Sequence, residues 1–565
     1  MRLDRDAILR EGVRDGVEEI RFSMPALAPG AIFEYEYTYE SEGLFRPPTW
    51  YFQDAEPTLY SAFSFTSPEF FDYVVFSQGS RVRSEQTELR YRGDWEEATY
   101  AWSAQGVPAL RDEPYTTSEA DYVHKVELQL SSVNFPGRVP EQVLSSWQEV
   151  AEELDGSNEF GKRMRARGEL QDLARSASGT PEERAIALYD LVREGYVWNG
   201  RRGIYAERRL RDVAETKGGT APEINLTLIA LLREAGIPAQ PVLISTRANG
   251  RIIRQYPIVT RFNHVLVLAE PEGAPPMLLD ATDPHRPYTL PPVEALTGEA
   301  WIANPEAPGW IEFGAPVGSQ TVTSVRGALA ADGSFSGEVN LRLSGYDALR
   351  LRTRLAEDEA ETPAEEAASG AAAEAADAEE SVTFATVRVE GMDDVMEPIR
   401  VTATATASAA EVDGGEMYLS PFLAMKLDEN PLKRAEREFP VDFAFPFQRA
   451  YVATIELPEG YEPEEVPEAI AVGIPSRAVT YTRRYAAQNG QLQVHAVLDV
   501  AASAVSPEEY GALRALYDEI IGAESEAIVL VRTAEAPPAA AEPEAAAEPE
   551  APAPEASGGE AGGDR

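Results

Sequence analysis

At 565 residues the chain is too long for one hydrophobic core, and its 44% hydrophobic content is enough to fold several domains of roughly 100–200 residues each. A formal charge of −45, from 50 basic and 95 acidic residues, argues against a nucleic-acid partner, because phosphate binding draws its affinity from Lys and Arg. The complete absence of cysteine excludes disulfides, thiolate metal sites, iron–sulfur clusters and a cysteine nucleophile together.

In chain order, alternation comes first. From Glu18 to about Leu130 the apolar period is two: Phe33, Tyr35, Tyr37 and Tyr39 alternate with Glu34, Glu36, Thr38 and Glu40, the pattern of a half-buried strand. Further strands are expected at 60–65, 73–77, 88–91, 98–102 and 123–130, separated in places by Pro, Gly and Asp clusters. Residues 1–140 are therefore predicted to form an antiparallel β-sandwich.

From Ser145 the period lengthens. Thr180-Pro-Glu-Glu183 reads as a capping box with proline in the first turn, and Ala185, Leu188, Tyr189 and Val192 follow at helical spacing. A helix at 207–215 and a second capped helix then lead into strands near 241–245, 262–269 and 277–280, which predicts an α+β domain over 141–315. The second capped helix is the most strongly marked element of the chain. Thr220 and Glu223 form its capping box, Gly236 and Pro238 mark its end, and Ile224, Leu226, Leu228, Ile229, Leu231 and Leu232 leave it almost no polar face. Such a helix is a buried one.

Strand signals resume near Thr321, with Asp332-Gly333 as a hairpin turn, and continue at 382–390, 399–407, 451–457, 479–484 and 492–498. A helix near 507–521 and a closing strand at 527–531 complete a mostly-β region over 316–533. Its insert at 357–380 is almost all Ala and Glu and is expected to be disordered, as is the Ala/Pro/Glu tail at 534–565.

Several motifs carry a family likeness. They are Phe22-Ser-Met-Pro25 with Gly30-Ala-Ile-Phe-Glu-Tyr-Glu-Tyr37, Val107-Pro-Ala-Leu110 and Glu113-Pro-Tyr115, then Glu223-Ile-Asn225, Phe262-Asn-His264 and Leu279-Asp-Ala-Thr-Asp-Pro284, and finally Asn430-Pro431, Arg437 and Phe439-Pro-Val-Asp-Phe443. In this order they resemble bacterial proteins that join an N-terminal domain of unknown function, a transglutaminase-like domain of papain-like fold and a C-terminal all-β region. The resemblance implies a triad of Cys at the helix start, His at the head of the next strand and Asp on the strand after. Here His264 and Asp280 fill the last two places, and Ala221 stands where the Cys belongs. It further implies that Trp198 and Asn263 line the cleft and that the protein works at the cell envelope or in the periplasm.

The chemistry of the residues agrees. Acyl transfer through a thiol needs sulfur, a base and a group that orients the base, and a methyl group supplies none of these. Thr220, or water activated by His264, is the alternative nucleophile of an amide hydrolase or acyltransferase, but the Thr220 hydroxyl is better explained as the helix cap. Asp280, Asp283 and His285 have the donor chemistry of a metal site, yet Asp-Pro turn chemistry accounts for Asp283 more simply; no metal and no other cofactor is expected. His124 and His495 lie in alternating β stretches and read as structural.

The expectation is a non-catalytic binding or scaffolding protein taking a peptide, protein or cell-wall fragment, with a structural spacer between two β regions as a further reading. No apolar run is long enough to span a bilayer, and the first residues are not a signal peptide. The first strand arrives so early that Met1 is compatible with a start inside a longer reading frame. Only Lys125, Lys162, Lys217, Lys426 and Lys433 are lysines, and an acidic, Lys-poor surface is expected to be salt-adapted.

Overall fold

The computed structural model describes residues 8–14, 17–23, 28–38, 43, 45–84, 87–165, 168–358, 370, 382–424 and 426–533. Most of the insert expected at 357–380 and the whole tail at 534–565 lie outside the described residues.

The N-terminal region contains two four-stranded antiparallel sheets. Lys125–Val133 pairs with Phe71–Gln78, Trp50–Tyr51 and Glu141–Gln142 in one; Trp95–Val107 pairs with Thr58–Pro68, Arg83–Ser84 and Glu88–Arg92 in the other. They share a core of Phe52, Trp102, Ala104, Val107, Val126 and Leu128, so the sandwich follows from the alternation in these strands. His124 is structural, as expected: its Nδ1 lies 2.9 Å from Gln53 Oε1, and its ring fills the space beside Gly79, where a Cβ would meet it at 1.8 Å.

The Phe33 stretch departs from expectation. Among the described residues, 31–38 make no strand, and Tyr39 lies outside them. The period of two still puts Phe33, Tyr35 and Tyr37 on one side, with ring centroids 6.5 and 6.3 Å apart, but the rings are exposed. Alternation fixes which way side chains face; a strand also needs a partner edge, and among the described residues none pairs with 31–38.

The central region packs helices on a five-stranded antiparallel sheet. Its helices are α1 (Trp147–Gly156), α2 (Glu169–Ser176), α3 (Pro181–Gly195), α4 (Leu210–Thr216) and α5 (Ala221–Glu234). The sheet order is Met277–Leu279, His264–Ala269, Ala239–Ile244, Glu299–Ile302, Gly309–Glu312. The last two strands, of four residues each, were not expected from the sequence. Helix α5 lies between the sheet and α2, α3 and α4, which explains its lack of a polar face.

The C-terminal region is built on an eight-stranded sheet in the order Thr383–Glu390, Ile399–Ser408, Ser334–Ser344, Ser319–Leu329, Phe447–Glu456, Gln491–Val500, Val479–Gln488, Ile470–Gly473. Every pairing is antiparallel except that of Ser319–Leu329 with Phe447–Glu456, which joins two four-stranded halves. Gly333, at φ 87°, makes the hairpin turn between Ser319–Leu329 and Ser334–Ser344. A second sheet orders Ala410–Asp413, Glu416–Leu419, Ile528–Arg532 and Tyr461–Glu465, so the last strand inserts centrally. Helices α6 (Tyr346–Asp358) and α7 (Tyr510–Glu524) pack Leu351 and Leu355, and Leu513, Leu516 and Ile520, into one shared core. Helix α6 takes in 357–358, the start of the expected insert.

The centre is fastened to both flanks. Arg261 pairs with buried Glu127 at 2.8 Å and Ser118 Oγ donates to the Ala248 carbonyl on the N-terminal side; Arg247 pairs with Asp442 at 3.0 Å and Tyr346 OH donates to the Pro291 carbonyl on the other.

Candidate functional site

The site is built from the head of α5 outward. The Thr220 hydroxyl accepts from the Glu223 N–H at 3.4 Å, and Glu223 Oε2 accepts from the Thr220 N–H at 3.0 Å, closing the capping box. At the other end Ile237 N–H reaches the Leu232 carbonyl at 2.9 Å and Gly236 N–H the Arg233 carbonyl at 3.0 Å, a Schellman motif with Gly236 at φ 75°. Glu223 also receives the Arg208 backbone N–H at 2.8 Å and the Arg208 guanidinium at 2.8 Å. Burial pushes the Glu223 carboxyl up, but the Arg208 bond and the two backbone N–H groups outweigh it and hold it below the usual range. A Cβ on Gly219 would come within 2.5 Å of Glu223 Oε2, so glycine is required for this approach.

Gly218–Gly219 pairs in parallel with Val197–Trp198, which sets Trp198 beside the helix head. There the backbone N–H of Ala221 donates to the Arg201 carbonyl at 3.0 Å, and the Trp198 indole N–H donates to the same oxygen at 3.1 Å. Two N–H donors converging on one carbonyl, one of them from the first residue of a helix, is the arrangement that stabilises an oxyanion in acyl transfer. Here the chain itself fills it. The Arg202 guanidinium lies over the Trp198 ring, 5.0 Å from its centroid.

His264 opens the strand next to Ala239–Ile244, and its Nε2 lies 2.6 Å from Asp280 Oδ2. The second oxygen of Asp280 accepts from the Thr282 N–H at 2.9 Å and faces Arg286 Nη1 at 3.5 Å. Burial pushes the Asp280 carboxyl up, but the charge and hydrogen bond of His264, with Arg286 and Thr282, hold it well below the usual carboxylate range. Ala221 and His264 are 0% exposed and Asp280 1%, and His264 Nδ1 is buried without a partner among the described residues.

Other candidates have different employment. The Asn263 amide bridges Thr246, accepting from its N–H at 2.8 Å and donating to its hydroxyl at 2.8 Å, so it secures the strand start. Asp283 accepts from the His285 N–H at 2.9 Å and pairs with Arg286 at 3.4 Å, as a turn residue does. No group of three metal-ligating side chains occurs among the described residues.

Asn225, Tyr189 and Arg286 were not identified as site residues from sequence. Asn225 Nδ2 donates to the Val265 carbonyl at 2.8 Å, and its Oδ1 accepts from the Ala281 N–H at 3.0 Å, which fixes α5 against both segments that carry His264 and Asp280. Tyr189 OH donates to the Asp280 and Arg286 carbonyls. The available signal for Asn225 is a polar side chain in an otherwise apolar helix, which must find partners when buried.

The transglutaminase-like superfamily model matches residues 171–270, and that of a domain of unknown function, DUF3858, matches residues 415–530. No curated protein matches the chain. A solved structure provisionally described as a protease from Parabacteroides distasonis is similar at 15% identity and a TM-score of 0.50, covering 86% of this chain and 74% of that one. Another, provisionally described as a cysteine protease from Cytophaga hutchinsonii, has 13% identity and a TM-score of 0.17 over 41% of this chain and 74% of its own. The first is a likeness of fold. The chain thus carries a central transglutaminase-like domain and a C-terminal DUF3858 domain, with no cysteine anywhere in its sequence.

Proposed function

We propose that the protein is a non-catalytic transglutaminase-like component of the cell envelope, acting as a binding or scaffolding protein whose central domain serves as architecture. In this reading His264 and Asp280 are the retained members of a triad and Ala221 occupies the place of the nucleophile. The observation that carries the proposal is the Arg201 carbonyl, held by Ala221 N–H at 3.0 Å and Trp198 Nε1 at 3.1 Å. A site with no sulfur, and with its carbonyl-binding donors satisfied internally, has neither attacker nor room for a substrate carbonyl. Thr220 does not replace the sulfur, since its hydroxyl faces Glu223 N–H and makes no bond to His264 among the described residues.

Complete burial of Ala221 and His264 favours scaffolding over ligand capture at this site, and the ion pairs from Arg247 and Arg261 to the flanking regions support the same reading. The envelope location rests on the family resemblance. The test assays the unmodified protein for peptide amide hydrolysis and for amine incorporation into a glutamine-bearing protein. No turnover is expected; turnover that disappears in His264→Ala overturns the proposal. A thermal-shift screen of peptides and cell-wall fragments checks the scaffolding preference: a ligand whose stabilisation is lost in His264→Ala would place binding at the old site instead.

A further inference from the structure

Two of the sequence motifs take no part in the site around α5: Glu113-Pro-Tyr115 and the stretch from Asn430 to Phe443. They meet in space, where the buried Glu113 carboxylate lies between Arg434 at 3.3 Å and Arg437 at 3.4 Å and the Asp442 N–H donates to the Tyr115 carbonyl at 2.8 Å. Tyr115 is held there at φ 63°, in the left-handed region that residues with a side chain rarely adopt, and its ring lies 5.4 Å from that of Phe443.

These two rings line a cavity of about 330 Å3, within the size range of small-molecule sites. Phe443 meets Phe447 edge-on at 5.8 Å, and Phe445 and Tyr517 of α7 continue the aromatic lining. Leu427, Pro431 and Leu498 add apolar surface.

The charged groups of the lining are engaged within the chain. Asp347 accepts from Thr321 Oγ1 at 3.0 Å and pairs with Arg350 at 3.7 Å, and Glu429 pairs with Lys433. Arg449 is partnered too, and its guanidinium lies over the Phe447 ring, 5.8 Å from the centroid. A ligand carboxylate or ammonium would therefore leave water for a cavity that offers it no free counter-ion, which is unfavourable. Tyr517 differs from these groups: it is 5% exposed, and its hydroxyl has no hydrogen-bond partner among the described residues. Burial pushes that phenol up to about 12, so it keeps its proton near neutrality and is free to donate. A secluded donor without a partner gains from an acceptor that a ligand brings, and aromatic walls suit a flat ring.

We propose that this cavity binds a small neutral aromatic carbonyl compound, its ring against Phe443, Phe445 and Phe447 and its carbonyl oxygen accepting from the Tyr517 hydroxyl. The proposal is independent of the reading of His264 and Asp280. The test titrates the full chain at neutral pH with benzamide, toluene, benzoate, benzylamine and cyclohexanecarboxamide, followed by ligand-observed NMR. Benzamide is expected to bind saturably, tenfold or more tightly than benzoate and benzylamine and severalfold more tightly than toluene and cyclohexanecarboxamide. Tyr517→Phe, with its melting transition retained, is expected to bring benzamide down to the level of toluene while toluene itself is unaffected. No saturable binding of benzamide, equal or tighter binding of any of the other four, or benzamide binding unchanged in Tyr517→Phe overturns the proposal. Should Tyr517→Phe fail to fold, the preference of the native chain for benzamide over toluene decides.

Discussion

His264 Nε2 and Asp280 Oδ2 are 2.6 Å apart in a site from which solvent is excluded, with Arg286 behind the same carboxylate. A buried charge kept by such partners becomes costly to its neighbours once it is removed. Asp280→Ala strands the Arg286 guanidinium and the His264 ring and is expected to lower stability by about 3–5 kcal/mol in urea unfolding. The Asp280 carboxyl is held below its ordinary value, so its contribution is present above the unfolded value of 3.8 and is lost as pH falls through the folded one. The variant should therefore show a smaller loss of stability with acidification than the native chain.

Ala221→Cys restores sulfur but leaves the Arg201 carbonyl in place. The variant is expected to fold, with a loss of about 1–3 kcal/mol from overpacking at a fully buried position, and to show no amide hydrolysis. Its thiol should react with iodoacetamide far more slowly in the native state than in urea, which mass spectrometry can follow. Fast native alkylation would mean that the Trp198 loop opens readily.

Glu524 supplies a stability change of the opposite sense. Burial pushes its carboxyl up from 4.5 to about 7, against the Leu427 N–H and the Tyr481 hydroxyl that hydrogen-bond it at 2.9 Å each. Between those two values the unfolded chain sheds a proton that the folded chain keeps, so stability falls as pH rises from 4.5 to about 7 and levels off above. The displacement corresponds to about 3 kcal/mol. Glu524→Gln should therefore remove this decline, with its largest relative benefit near pH 8 in paired denaturation curves at pH 5 and 8.

Glu113 links the N-terminal region to the C-terminal one through Arg434 and Arg437. Glu113→Ala is expected to cost about 3–5 kcal/mol, because the Arg437 side chain stays buried without its carboxylate. Differential scanning calorimetry should then show an earlier transition for the N-terminal region, and limited proteolysis should cut first near 108–117.

The charge of −45 predicts that the melting temperature rises as NaCl increases from dilute to molar concentration, because salt screens the repulsion among 95 acidic side chains. A falling melting temperature would count against salt adaptation.

Most of the fold was legible because its signals are local. The capping boxes at Thr180 and Thr220 and the Gly236 stop are written in single residues, and the alternation in Phe71–Gln78 and Gln491–Val500 records which side faces a core. The Phe33 stretch shows the limit of that signal, since the same alternation occurs there without a partner strand among the described residues. The site was legible only in its side chains. His264 and Asp280 stand at recognisable places, but the group that closes the site is a backbone carbonyl, which any residue at position 201 would supply. Asn225 lies within Glu223-Ile-Asn225, yet its two partners, Val265 and Ala281, are 40 and 56 residues away, and nothing local names them.

The seam between Ser319–Leu329 and Phe447–Glu456 joins positions 128 residues apart, as the Gln320 to Gln448 amide contact illustrates. During synthesis the first half of the eight-stranded sheet can form long before its neighbour leaves the ribosome. At about 5–20 residues per second that leaves a bare strand edge for several seconds, a template for pairing with other nascent chains. Assembly of this region is thus governed by a race between self-completion and association, and slower translation or crowded polysomes should favour the wrong partner.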